Sequence, residues 1–158
     1  MVRLFGVIAL LFLLLGTAAG DDTRSDVPEP PLREVVWRTV LQVLQERGLV
    51  ILTASQEEGR AVTELASLDP AALAKVAILN DSDQKVQWAR AEYRYHIDIG
   101  TLSDRERLVI KAEILAWERQ TTPSAPRPEV KRALQSNNGL EREFVDAFNA
   151  TLGKMAAE

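Results

Sequence analysis

The stretch LREVVWRTVLQVLQERGLVILTASQEEGRAVT, residues 32–63, decides the fold, because it predicts a helix, a strand, a turn and a second strand in succession. Apolar residues recur at spacings of three and four in its first part, which is typical of an amphipathic helix, and Gly48 supplies a left-handed stop. Residues 49–54 are apolar and partly β-branched, which predicts a buried strand. Residues 55–59 then form a turn and residues 60–65 a second strand. The predicted helix stripe is Val36, Trp37, Val40, Leu41 and Leu44.

A short helix is expected after this first hairpin. Asp69 followed by Pro70 is a strong start signal, because the carboxylate can cap the helix and proline lacks the N–H that would be unpaired there. The helix should run for about two turns, through Val76. Residues 80–84 are polar and predict a loop.

Residues 88–119 show the most regular pattern in the chain, an alternation of apolar and polar residues that predicts a second, long hairpin. Its first strand carries an apolar face of Ala89, Ala91, Tyr93, Tyr95, Ile97 and Ile99, with Arg90, Glu92, Arg94, His96 and Asp98 opposite. Its second strand carries Leu108, Ile110, Ala112, Ile114 and Ala116 on one face and Val109, Lys111, Glu113, Leu115 and Trp117 on the other.

Charge selects the register of this hairpin. One register sets Arg94 against Lys111 and Glu92 against Glu113, and such like-charge pairs are destabilising. A shift of two residues keeps both apolar faces together and removes these clashes. We therefore predict the pairs Ile99 with Leu108, Arg94 with Glu113, Tyr93 with Ile114 and Arg90 with Trp117.

The rest of the sequence, after the second hairpin, predicts a proline-rich loop and a last helix. Residues 121–128 read TTPSAPRP, and Leu134 is expected to touch the sheet only briefly. The last helix follows the turn residues 136–139, and its apolar stripe is Leu140, Phe144, Val145, Phe148, Leu152 and Met155. These elements predict an α+β domain in which helices pack on one face of a four-stranded antiparallel sheet, in the helix-grip-like order α-β-β-α-β-β-α.

The N-terminus predicts export. Arg3 precedes a twelve-residue apolar run and the small residues of positions 16–20, which is the layout of a signal peptide, with cleavage expected after Gly20. The run is too short to span a bilayer, which takes about 20 residues, so no transmembrane anchor is expected after cleavage. The predicted division is a signal peptide at 1–20, a disordered acidic and proline-rich tether at 21–31, and a single domain at 32–158.

Composition excludes several classes of function. The chain carries 19 basic and 23 acidic residues. Removal of residues 1–20 takes away one of the basic residues, Arg3, and makes the chain slightly more acidic. Nucleic-acid binding is not expected, because it needs a basic surface. The absence of cysteine excludes disulfides, thiolate metal sites and cysteine nucleophiles.

The chain resembles the BamC/NlpB-type domain of bacterial envelope lipoproteins. The resemblance rests on Trp37 with Leu41, Leu44 and Gly48, on the motifs EEGRAVTE and ARAEYRYHIDI, and on SNNGLEREFVDAF, and it covers roughly residues 33–155. It implies a non-enzymatic accessory of outer-membrane protein assembly. Thr17 stands where a lipoprotein carries its lipidated cysteine, so a soluble periplasmic form is expected, in association with the outer membrane at most.

No catalytic, cofactor-binding or metal-binding residues are predicted. His96 is the only histidine, and its place on the polar face predicts a solvated side chain rather than a general base. Asp81 and Asp83 are two acids in a loop, whereas calcium takes six to eight oxygen ligands. They are therefore interpreted as turn residues.

The candidate partner-binding surface is the polar face of the second hairpin, because aromatic and arginine side chains are common anchors of protein interfaces. The alternative is an ordinary sheet face, partly covered by the proline loop or the tether. The candidate residues are Arg90, Arg94, Lys111, Leu115 and Trp117, beside Val109.

Two functions follow as hypotheses. The first is a non-enzymatic interaction or scaffold protein of the cell envelope with a protein partner. The second is a periplasmic carrier of a small apolar ligand held between the sheet and the C-terminal helix. Four aromatic residues could line its cavity or could simply fill the core, namely Tyr93, Tyr95, Phe144 and Phe148.

Overall fold

The computed structural model describes residues 32–102, 105–119, 129–155 and 157. The predicted signal peptide, tether and proline loop lie outside these residues. The helices are α1 (Leu32–Glu46), α2 (Leu73–Val76) and α3 (Gly139–Met155), with 3-10 turns at Pro70–Ala72 and Asp83–Lys85. The strands are β1 (Ile51–Ser55), β2 (Arg60–Thr63), β3 (Ala66–Leu68), β4 (Trp88–Leu102), β5 (Arg105–Glu118) and β6 (Val130–Leu134).

The fold is α+β with an antiparallel sheet, as predicted, but the sheet has six strands rather than four. Its order is β1-β2-β4-β5-β6, and β3 pairs with β4 beside β2. The predicted strand 60–65 breaks after Thr63, and β3 resumes the pairing with β4. The hydroxyl of Thr63 spans the break by accepting the N–H of Tyr95 at 2.9 Å. Where only Leu134 was expected to touch the sheet, all of β6 pairs with β5.

The predicted register of the long hairpin is confirmed. Ile99 stands opposite Leu108 and Arg90 opposite Trp117, while Arg94 faces Glu113. The apolar faces of both strands therefore meet α1 and α3 in one core. The side chains of β4 and β5 that point away from the helices form the opposite face, which we call the outer face of the sheet.

The strand predicted at residues 49–54 is present as β1, but the prediction that it is buried is wrong. β1 lies at the edge of the sheet, and Val50 and Leu52 are 58% and 53% exposed. A run of apolar residues is common to buried strands and to uncovered edge strands, and the sequence pattern does not separate them. β1 is thus an apolar strand with one side open to solvent.

The helices follow the predicted patterns closely. α1 buries Val36, Trp37, Val40 and Leu44, and also Val43 and Thr39. Gly48 ends it with φ of +66°. Asp69 caps the short helical segment by accepting the N–H of Ala71 at 2.9 Å. In α3, the buried stripe is Leu140, Glu141, Phe144, Phe148 and Thr151, with Val145, Leu152 and Met155 only partly buried.

Glu141 is a buried acid that the apolar pattern of α3 did not predict. Its carboxylate accepts the backbone N–H of Ala112 at 2.9 Å and the hydroxyl of Ser136 at 2.7 Å. Because β6 begins to pair with β5 only at Ile114, this carboxylate takes the place of a strand partner at the edge of β5. Across the part of the chain that the structure describes, no helix is both long enough and apolar enough to cross a membrane.

Candidate protein-docking surface

The outer face of the sheet is built mainly from β4 and β5, with further side chains from the strands beside them. From Arg90 onward, β4 supplies its even-numbered residues and β5 its odd-numbered ones, because these alternate with the residues that face the helices. The strand is irregular between Trp88 and Arg90, and Trp88 packs against the core instead. Pairing with β2 adds Arg60 and Val62, and pairing with β6 adds Lys131 and Ala133. The five candidate residues predicted from sequence all lie on this face, within two adjacent strands.

Arg90 and Trp117 form the centre of the candidate surface. The guanidinium carbon of Arg90 lies 3.8 Å from the centroid of the Trp117 ring, which is the geometry of a cation–π contact. Arg90 is 54% exposed at its side chain and lies 3.6 Å from both Glu92 and Glu129. The amine of Lys131 approaches the same ring at 5.7 Å. The indole of Trp117 therefore lies next to two cationic side chains, Arg90 and Lys131, and remains partly accessible to solvent.

Arg94 and His96 share one carboxylate. The Glu113 side chain accepts the Nε hydrogen of Arg94 at 2.5 Å and lies 3.2 Å from Nε2 of His96. These hydrogen bonds, with that of Arg94 the stronger influence, hold the pKa of Glu113 below its usual value of 4.5. The His96 ring is thus held against an acid on an open face, in line with its interpretation as a surface residue.

The pH dependence of stability should reveal this cluster. The unfolded state takes up a proton at Glu113 at a higher pH than the folded state does, so the stabilising contribution is present above about pH 4.5 and is lost as pH falls through the lowered pKa. We expect Glu113→Gln to lower the free energy of unfolding near pH 6 by less than about 1 kcal/mol, because the cluster is solvent-accessible. Urea unfolding from pH 6 down to pH 2.5 should show the difference from wild type shrinking. A difference that stays constant across this range would contradict the assignment.

Two of the candidate residues differ strongly in exposure, because Leu115 is buried and Lys111 is exposed. Leu115 is only 5% exposed, between Glu92 on β4 and Ala133 on β6, so it offers almost no surface to a partner and supports the residues around it. Lys111 stands opposite His96 and is exposed. The accessible part of the candidate surface is therefore Arg90, Trp117 and Lys111, with Arg94 partly engaged by Glu113.

Glu129 and Lys131 belong to this surface but were not predicted. Glu129, the residue before β6, lies near Arg90, and Lys131 of β6 lies near the Trp117 ring. The sequence VKRAL of β6 contains two adjacent charges and alternates poorly, so it gives no strand signal. Only the pairing of Trp117 with Lys131 brings these groups together.

The two loop acids serve different purposes. The carboxylate of Asp83 accepts a hydrogen bond from Arg132 at 3.0 Å and another from the backbone N–H of Asn80 at 3.2 Å. Arg132 also contacts Glu118 at 2.8 Å, so it ties this loop to the sheet. Asp81 is exposed. Among the described residues, no three His, Cys, Asp or Glu side chains lie close enough together to hold a metal ion.

Three of the four aromatic residues named for a ligand cavity contact one another. The ring of Tyr95 contacts Tyr93 and Phe144 edge to face, with centroids 5.4 and 5.1 Å apart. Burial raises the pKa of Tyr95 well above its usual value, so the phenol stays neutral and donates to the carbonyl of Leu140 at 3.0 Å. Phe144 and Phe148 are fully buried. All four side chains belong to the hydrophobic core or pack against it.

No protein-family model matches this sequence, and none of the curated proteins matches it either.

Proposed function

We propose that this protein is a non-enzymatic interaction protein of the bacterial cell envelope, which docks a protein partner on the outer face of the β4–β5 hairpin. The observation that carries the proposal is the Trp117 ring stacked beneath the exposed Arg90 guanidinium. Tryptophan and arginine contribute most of the binding energy at many protein interfaces. Here they lie on a face away from the helices and next to further cations.

The surrounding charges favour a partner with acidic groups. Lys111 is exposed, and Lys131 and Arg90 both approach the indole. Glu92 and Glu129 lie 3.6 Å from Arg90, a separation that leaves its guanidinium only loosely engaged. A carboxylate of the partner could therefore replace these contacts while an apolar group covers Trp117.

The envelope setting and the finer fold are part of the same proposal. The predicted signal peptide and the resemblance to BamC/NlpB-type domains support a periplasmic protein that assists outer-membrane protein assembly. A helix-grip-like arrangement is supported by the way α3 contacts β5 and buries Phe144 against Tyr95. The close packing of these rings favours an interaction protein over the alternative, a carrier of a small apolar ligand.

Paired substitutions on the same face test the docking surface. We expect Trp117→Ala combined with Arg90→Ala to weaken the affinity for a partner isolated from envelope extract by 30-fold or more, since the loss of such anchors costs about 2 kcal/mol or more. Thermal stability should change little, because both side chains are partly exposed. The matched control is Arg60→Ala with Val62→Ala, two residues of the same face on β2.

Binding should be measured with purified partner, after its identification by cross-linking from a photoreactive group at position 133, an exposed position of the same face that leaves Trp117 and Arg90 in place. The control pair should retain wild-type affinity. If both pairs weaken binding equally, the partner does not recognise the Trp117 region. A parallel loss of stability and binding in the Trp117 and Arg90 variant would instead favour an ordinary sheet face.

A further inference from the structure

His96 lies in the middle of the outer face, beside two of the residues proposed to dock a partner. Its side chain is 40% exposed. Lys111 stands directly opposite it on β5, and Val62 stands directly opposite it on β2. Arg94 lies two residues before it on the same face of β4. A change of charge at His96 therefore acts directly on the docking surface.

A single carboxylate serves both Arg94 and His96. Oε2 of Glu113 lies 2.5 Å from Nε of Arg94 and 3.2 Å from Nε2 of His96. Because Nε2 faces a carboxylate, it carries the hydrogen of the neutral ring, and Nδ1 is the nitrogen that takes up a second proton. With a neutral imidazole, the charges of Arg94, Lys111 and Glu113 leave one net positive charge. Protonation of His96 adds a second, because Glu113 neutralises only one cation.

The other charged groups near His96 are carboxylates, lysines and arginines. Asp98 lies two residues beyond it on β4 and pairs with Arg60 of β2 at 3.0 Å. Glu64 follows the end of β2, and the helices lie on the opposite side of the sheet. Carboxylates ordinarily titrate near pH 4, and lysine and arginine above about pH 10, whereas an imidazole ordinarily titrates near pH 6.5. Since His96 is the only histidine of the chain, it is the side chain suited to change the charge of this face between about pH 5.5 and 7.5.

We propose that His96 makes docking on the outer face pH-dependent, so that a partner segment rich in carboxylates binds more tightly once the imidazole is protonated. This inference rests on the docking function proposed above and specifies its regulation. The added charge lies beside Lys111, whereas Trp117 is six residues further along β5, or about 20 Å away. A fall in pH therefore strengthens binding at the Lys111 end of the surface and leaves the contact with Trp117 and Arg90 unchanged.

A rhodamine-labelled peptide of about eight aspartates tests the proposal, because an extended chain of this length spans roughly 27 Å and reaches from Trp117 to Lys111. Its Kd for the exported protein should be measured by fluorescence anisotropy at pH 7.5 and pH 5.5. The ionic strength should be about 0.02 M, where charges still interact over roughly 20 Å. We expect a Kd about threefold to fivefold lower at pH 5.5, the effect of one solvent-exposed ion pair. Partial neutralisation of the peptide at pH 5.5 would act in the opposite direction.

Two substitutions at position 96 separate the charge of the imidazole from its shape. His96→Gln keeps an N–H that can reach Glu113 but takes up no proton, so its Kd should be the same at both pH values and close to that of wild type at pH 7.5. His96→Lys is charged throughout and should bind at pH 7.5 about as tightly as wild type does at pH 5.5. Thermal unfolding at each pH checks that all three proteins are folded.

The outcomes distinguish this inference from the docking function itself. Wild-type binding that does not change with pH, or a change of equal size in His96→Gln, would overturn the role of His96 and leave the docking function standing. A failure of the aspartate peptide to bind at either pH would overturn both, because the surface would then not recognise carboxylates. The α-amino group of the chain also titrates near this range, but it is common to all three proteins and contributes equally.

Discussion

Replacing Phe144 with Ala is expected to lower the free energy of unfolding by about 3–5 kcal/mol. The Phe144 ring is fully buried beneath α3 and packs edge to face on Tyr95, at a centroid separation of 5.1 Å. Its removal forfeits apolar burial, deletes an aromatic pair and leaves a cavity that the sheet is too rigid to close. Urea unfolding followed by circular dichroism measures the loss.

The matched control is Phe144→Leu, which keeps most of the volume and should cost clearly less. The two variants also bear on the carrier hypothesis. A ligand cavity beneath α3 would leave the ring partly unsupported, so truncation to Ala would then cost little. A loss below about 1 kcal/mol for Phe144→Ala would contradict a filled core and would favour the carrier.

The parts of the fold that were predictable are those fixed by local pattern. The long hairpin alternates over more than ten residues on each strand, and the charges of Arg94 and Glu113 select one register. The helices carry apolar stripes and recognisable stops such as Gly48. Each of these signals lies within a short stretch of sequence.

The missed elements depend on contacts between distant parts of the chain. β3 is three residues long, and it forms because β4 offers a free edge after Thr63. β6 carries adjacent charges, and pairing with β5 determines its conformation rather than its own propensity. The exposure of β1 follows from its place in the strand order, which the sequence of β1 alone does not reveal.

The candidate surface was also predictable only in part. Register and face together place Arg90 beside Trp117, and the structure has them 3.8 Å apart. The burial of Leu115 was missed, because it depends on the flanking strand β6. Glu129 and Lys131 were missed for the same reason, so the sequence predicted the centre of the surface and not its boundary.

A second large loss of stability is expected when Gly59, in the turn between β1 and β2, is replaced. Gly59 has φ of +69°, and its carbonyl accepts the N–H of Ile99 at 2.6 Å, which joins the turn to β4. A Cβ at this position would lie 2.3 Å from the backbone oxygen of Ile99 and 2.9 Å from the guanidinium of Arg33. The arginine can move aside, but the oxygen of β4 belongs to a paired strand and is held in place.

Gly59→Ala should therefore lower the free energy of unfolding by roughly 3 kcal/mol or more, as left-handed strain of about 1–2 kcal/mol adds to an overlap of similar or larger cost. Gly48→Ala is the matched control, because Gly48 has nearly the same φ of +66° but no atom within 4 Å of the added Cβ. Gly48→Ala should lower the free energy of unfolding only by about the cost of the left-handed strain. Equal losses in the two variants, measured by urea unfolding, would mean that the turn does not approach Ile99 closely. A larger loss at Gly59 would show that this contact anchors the first hairpin, and with it the open strand β1, to the rest of the sheet.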